Sequence, residues 1–256
     1  MKIDFEKCAR LEIALGGKYE KILVFDEIGS TNDYLKQNAG ILPDRVLVAA
    51  VRQTGGRGRR GHVFSSPAGG AYFSILIKNC SSPEKAKNLT VLASVAAAEG
   101  IEILSGVSPG IKWVNDLFYK GKKIAGILCE AVSDGTALHL ICGVGINVLR
   151  PAEDYPPEIS GIAGAISDYA APPDICELIS NIAARIGEPP EDLNEGGIID
   201  RYRKRSIVIG KNITVSGPAG ERSAKAIGIR DDASLLVEYP SGVRESLDHG
   251  EISIKL

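Results

Sequence analysis

The chain carries no excess of either charge. Its 30 Lys and Arg stand against 32 Asp and Glu, a formal net charge of −2 over 256 residues. A protein that coats nucleic acid would show a clear basic surplus, so that class is excluded and DNA is not an expected partner. Cysteine is sparse and unpatterned: Cys8, Cys80, Cys129, Cys142 and Cys176 are an odd five, with no C-x-x-C and no histidine at metal-ligand spacing. This argues against a disulfide scaffold or a zinc ribbon and fits a reducing compartment. Cys129 and Cys142 lie inside apolar runs and read as inert core thiols. No run approaches the roughly 18 apolar residues of a membrane span. The longest candidate, GILCEAVSDGTALHLICGVGI, is broken by Glu130, Asp134 and Gly135 and reads as a hairpin. The opening MKIDFEKCARLEIALGG lacks the continuous apolar core of a signal peptide, so the expected location is cytoplasmic. Neither a G-x-x-x-x-G-K-[ST] phosphate loop nor a nucleophile-base constellation occurs.

With 44% hydrophobic residues, the chain is long enough for a large domain plus a small one. KILVFDEIG, RVLVAAVRQ, AYFSILIK and ALHLICGVGINVL read as strands, and GIKWVNDLFYKGKKIAGILCEAV as two more joined at Lys120-Gly121. STNDYLKQNA reads as a helix capped by Ser30 or Thr31, and SPEKAKNLTVLASVAAAEGIEIL as the longest helix. PPDICELISNIAARIGE and LNEGGIIDRYRKRS supply two further helices. After Ser206 the texture changes to short strands alternating with turn signals at SGPAG, RDDAS, PSG and DHG. Strands that cluster, with helices grouped and not strictly alternating, predict an α+β fold. The expected organisation is two separately cored units, residues 1–205 and a small β-barrel over 206–256.

The stretch GGRGRRGHVFSSP, residues 55–67, fits the G-x-G-x-x-G dinucleotide fingerprint. That fingerprint requires a following helix and an acidic residue about 20 positions on. Here a strand follows instead, and no Asp or Glu occurs between Gly61 and Pro83. Arg57, Arg59 and Arg60 fall within four positions, among glycines that let backbone close around a ligand. Guanidinium groups suit bidentate recognition of carboxylate and phosphate oxygens, so the loop reads as an anion clamp. STN at 30–32 places helix-terminal N–H groups and small polar side chains around one point. KWVNDLFYKGKKIAG adds Asn115, Asp116 and Lys123, and GVGIN ends an apolar run on Asn147.

STN, QTGGRGRRG, KWVND, KKIAGILCE and GVGIN, in that order, resemble the biotin protein ligases. The resemblance covers about residues 22 to 256, including the closing GEISIKL. It implies a mixed-sheet catalytic domain of the biotin/lipoyl ligase type with a small C-terminal SH3-like β-barrel. It also implies activation of biotin by ATP to biotinyl-5′-AMP, then transfer to one lysine of a biotin carboxyl carrier domain. ATP and Mg²⁺ would enter as the substrate complex, with no tightly bound prosthetic group. By resemblance, Ser30, Thr31, Asn32, Gln53, Gly56, Arg57, Gly58, Arg59 and Lys123 would bind biotin. Arg59, Arg60, His62, Phe64, Asn115, Asp116, Lys123, Asn147 and Lys255 would surround the nucleotide. Lys123, Arg59 and Asp116 would carry catalysis, and Asp116 would touch the metal, which is held largely by phosphates.

Two positions depart from the family loop. An Arg and a Trp are usual where this chain has His62 and Phe64, so a permanent cation gives way to an imidazole and the adenine platform is smaller. About 20 residues precede the first core strand, too few for the winged-helix repressor domain of many bacterial relatives. The resemblance is therefore to the monofunctional form, and homodimerisation through the central sheet is a family habit. Two rival readings stand beside it: a lipoate or octanoate ligase or transferase of the same fold, and a non-catalytic biotin or nucleotide sensor.

Overall fold

The structure is a computed structural model that describes residues 4–151, 153, 155–217, 220–248 and 251–254. Helix α1 (Phe5–Leu15) starts where the Asp4 carboxylate accepts the Lys7 N–H at 3.0 Å, and it stops at Gly16 in the left-handed region. Cys8, Leu11 and Leu15 form its buried stripe. The sequence reading assigned no helix there, although the Asp cap and the glycine stop are both ordinary helix boundaries.

Strands β1 (Lys21–Ile28) and β2 (Val46–Gln53) run parallel, with α2 (Thr31–Asn38) as the crossover between them. They join β3 (Gly70–Ile77), β4 (Gly110–Lys112), β5 (Asp116–Tyr119), β6 (Lys122–Ser133) and β7 (Leu138–Asn147). The seven-stranded order is β1-β2-β3-β7-β6-β5-β4, antiparallel everywhere except β1/β2. Residues 110–133 thus form three strands where two were expected, because Lys112 and Asp116 pair across a tight turn. That turn includes a cis peptide bond between Trp113 and Val114. Every position of β3 is buried, since helices cover both faces of the sheet there.

Helix α3 (Lys85–Ser105) lies along the sheet against β6 and β7. It is long and apolar enough to cross a membrane, contrary to the expectation that no segment would be. Its burial against the sheet accounts for the same apolarity, with Leu89 and Ile101 fully covered. Helices α4 (Pro157–Ser160), α5 (Ile175–Ala183) and α6 (Ile198–Arg205) complete the layer and its connections. The C-terminal strands β8 (Asn212–Gly217), β9 (Gly220–Ile229), β10 (Leu235–Glu238), β11 (Arg244–Leu247) and β12 (Glu251–Ser253) form an antiparallel sheet ordered β11-β10-β9-β8-β12.

The two sheets do not have separate cores, which corrects the sequence reading. One buried apolar cluster runs from Leu11 and Ile75 through Ile111 to Val215, Ala226 and Val237. Polar ties cross the same seam: Trp113 Nε1 donates to the Ala233 carbonyl at 2.9 Å, and Arg203 Nε to the Ile229 carbonyl at 2.8 Å. A chain ending at Ser206 should therefore lose cooperative folding, because it uncovers this cluster and leaves a buried indole N–H without its acceptor. Trp113 is the sole tryptophan, so a red-shifted emission and a broadened melt would report the loss. An unshifted spectrum with a sharp melt would mean that the cores are separate after all.

Candidate active site

A cavity of about 370 Å³ opens on the sheet where β2, β6 and β7 meet the N-terminus of α2. Its floor is nearly bare backbone. Gly126 pairs with Gly145 across β6/β7, and Gly143 lies two residues along the same face. A Cβ on Gly143 would stand 2.2 Å from Asn32 Oδ1, and one on Gly145 would stand 2.7 Å from the Phe64 ring. Glycine is required here for close approach, so that Asn32 and Phe64 can lie against the strands. The sequence reading took GVGIN for its terminal asparagine and missed this.

The inner end is a polar cluster. Ser30 caps α2, its Oγ accepting the Asp33 N–H at 3.3 Å, and Ser30, Thr31 and Asn32 are each only 4% exposed. Gln53, at the end of β2, accepts the Thr31 N–H at 2.9 Å, and its amide donates to Ser66 Oγ at 3.0 Å. The parallel pairing of β1 with β2 brings the start of α2 beside Gln53.

The glycine-arginine loop stands over the opening on an ordered base. Gln53 N–H donates to Ser66 O at 3.0 Å, Phe64 N–H to Gly56 O at 2.9 Å, and Gly58 N–H to His62 O at 2.7 Å. Arg60, at φ 53°, and Gly61, at φ 80°, turn the tip through the left-handed region. Gly56 is not among the residues that border the cavity, and a Cβ there would stand 2.3 Å from the Phe64 carbonyl, so the loop's packing requires glycine at this position. Two of the three arginines already have protein partners, without needing a ligand between them. Arg57 Nε donates to Asp33 Oδ2 at 2.7 Å, and half-buried Arg59 reaches Asn115 Oδ1 at 3.4 Å. Arg57, Gly58, Arg59, Arg60 and His62 all border the cavity, with the Arg60 and His62 side chains exposed.

The outer half is built on β5 and β6. Lys123 Nζ pairs with Asp116 Oδ1 at 2.7 Å and lies 5.8 Å from the centre of the Phe64 ring. The backbone of Lys123 is fixed by the Ile162 carbonyl and the Gly164 N–H. Asn115 is partly structural, since its amide donates to the Ile127 carbonyl at 2.8 Å. Asn147 behaves likewise, donating to Gly164 O at 2.9 Å while bordering the cavity. Trp113 and Ile252 also border it, the latter from the C-terminal sheet, and neither was assigned a role from sequence. Lys255 lies outside the described residues. Among the described residues no three His, Cys, Asp or Glu side chains group to hold a metal.

One cavity thus joins a small, buried, hydrogen-bonding pocket to a cationic outer chamber walled by an aromatic ring. Residues 24–147 match the biotin/lipoate A/B protein ligase family. The chain is 32% identical over 253 residues to the bifunctional ligase/repressor BirA of Bacillus spizizenii, covering 93% of this chain and 77% of the relative. It is 30% identical over 232 residues to the biotin–[acetyl-CoA-carboxylase] ligase of Mycobacterium tuberculosis, covering 86% and 82%. Its fold is similar to that of the biotin protein ligase from Aquifex aeolicus in complex with biotin and ATP, with a TM-score of 0.76 and 26% identity, covering 92% of this chain and 98% of the other.

Proposed function

This chain belongs to the biotin/lipoate A/B protein ligase family, and from that premise we propose that it activates biotin with ATP and transfers it to a carboxylase carrier domain. The observation that carries the reading is the continuity of one cavity from Thr31 and Gln53 to the Lys123–Asp116 pair. A ureido ring, with two N–H donors and one carbonyl, suits the polar inner end. A lipoyl or octanoyl chain would lie against those polar groups without gaining a hydrogen bond from them.

In the first step a carboxylate oxygen of biotin attacks the α-phosphorus of ATP and the bond to pyrophosphate breaks. Two anions must meet, so fixed cations supply the catalysis. Lys123 lies between the two halves of the cavity, where it can neutralise both the carboxylate and the α-phosphate. Phe64 offers a ring face for adenine, and Arg59 and Arg60 lie toward the phosphates. The second step needs only an acceptor lysine amine at the acyl carbonyl, with AMP leaving. Mg²⁺ screens the triphosphate charge when bound. The donor set fits an ion carried in on phosphate oxygens, with Asp116 the one carboxylate that borders the cavity among the described residues. Residues 1–205 would carry the catalytic residues, and 206–256 would close the outer wall through Ile252.

Incubation with biotin and α-labelled ATP should yield labelled biotinyl-AMP. Labelled product from lipoate or octanoate only, or binding without turnover, would replace this reading with one of its two rivals. Within it, Arg59→Ala should speed loss of biotinyl-AMP by about tenfold, the worth of one charge-assisted hydrogen bond, while changing biotin affinity less. Equal retention of the adenylate by both proteins would remove Arg59 from the closing loop.

A further inference from the structure

Glu130 is absent from the residues so far given to the site, yet a chain of hydrogen bonds with one allowed direction starts from it. Asn32 Nδ2 donates to Glu130 Oε2 at 2.9 Å and to the Leu128 carbonyl at 3.2 Å, which uses both amide hydrogens. Asn32 Oδ1 must therefore face the other way, where it accepts from Ser74 Oγ at 2.6 Å. Ser74 has one proton and has given it, so at the 2.6 Å contact between Ser74 Oγ and Thr31 Oγ1 the donor is Thr31. The only other neighbour of the Thr31 hydroxyl in this cluster, Gln53 Oε1 at 3.2 Å, is also an acceptor. Either way the Thr31 proton is spent inward, and Thr31 presents lone pairs to the cavity.

We infer that Glu130 is a positioning residue: acting through Asn32 and Ser74, it sets the hydrogen-bond polarity of the pocket so that Thr31 accepts from an N–H-bearing ligand. A carboxylate is suited to this because it can only accept, so the Asn32 amide cannot flip without losing it. Ser74 is fully buried and Asn32 almost so, which leaves no water to scramble the direction. The other oxygen of Glu130 takes Lys36 Nζ at 2.5 Å, and Lys36 lies 3.8 Å from Asp33, which holds Arg57. That second arm is partly exposed, and such pairs are weak. The polarity of the pocket, and not the tie to the loop, is the larger effect.

The inference rests on reading the cavity as a biotin pocket, and calorimetry with biotin and ATP separately tests the two apart. Glu130→Gln, which can donate as well as accept, should raise the Kd for biotin about tenfold and leave that for ATP within about twofold. Ser74→Ala cuts the same chain one link on and should weaken biotin comparably. The double variant should be no worse than either single one, because both act through one relay. Lys36→Met, which disturbs only the weaker arm, should stay within about threefold of the parent. Parent-like biotin binding by Glu130→Gln would overturn the inference. So would additive effects in the double variant, or equal weakening of both ligands with a lowered melting midpoint. A parent protein that binds ATP but not biotin would sink the functional reading itself, and this inference with it.

Discussion

Replacing Lys123 with alanine should lower the rate of biotinyl-AMP formation by about a hundred- to a thousandfold, the usual effect of removing one fixed charge aimed at a transition state. The fold should survive. The Lys123 side chain is 29% exposed and its ion pair with Asp116 joins two neighbouring strands that are also paired through backbone. The loss goes beyond a missing cation, because Asp116 would then face the incoming triphosphate uncompensated. Asp116→Asn should therefore recover part of the rate in the Lys123→Ala background, although it lowers the rate in the parent. Single-turnover formation of labelled adenylate, alongside a thermal melt, measures both. An unchanged rate in Lys123→Ala would exclude the lysine from the chemistry, and failure of the second substitution to help would mean that Asp116 does not face the phosphates.

Gly143→Ala should be severely damaging to both stability and the inner pocket. The new Cβ would lie 2.2 Å from Asn32 Oδ1, and Asn32 has nowhere to retreat. Its amide is held by Leu128, Glu130 and Ser74, and it is nearly buried. Overpacking of this kind costs about 1–3 kcal/mol, and breaking the amide's hydrogen bonds adds about as much again. Denaturant unfolding should show a loss of several kcal/mol, with biotin binding abolished in whatever remains folded. Gly145→Ala provides the contrast. There the intruder meets an aromatic ring at the cavity's open side, so stability should fall less and the nucleotide should be affected more than biotin. Equal stabilities for the two variants would contradict this account of the floor.

Much of the site could be read from the chain because it is local. The cap at Ser30, the strand ending at Gln53 and the loop of glycines and arginines each lie within a few consecutive residues. What could not be read depends on partners far away in sequence. In the sequence, Asp116 and Lys123 read as separate ligands for metal and phosphate, whereas strand pairing makes them an ion pair. Arg57 reads in sequence as one of several cations awaiting an anion, yet Asp33, in the first turn of α2, already serves. Asn115 and Asn147 spend their amide groups on backbone carbonyls 12 and 17 residues away. The shared core was hidden for the same reason. The change of texture after Ser206 is real, but nothing local says that Trp113 will donate to a carbonyl 120 residues on. Helix α1 is a different kind of miss. Its cap and stop are present, but its four charged residues interrupt the apolar ones and hide the period.

The glycine floor also bears on the thermodynamics of binding. A pocket lined by long side chains loses about 0.5–1.5 kcal/mol for each rotamer-rich group that a ligand immobilises. Gly126, Gly143 and Gly145 have no side-chain rotamers to freeze, and the Asn32 that rests on Gly143 is already held in place. Along that wall a ligand meets a surface whose disorder was removed when the chain folded. Affinity there should carry little entropic penalty from the protein. The same rigidity leaves the wall unable to adapt to a differently shaped ring, so discrimination at the inner end is a property of the folded backbone.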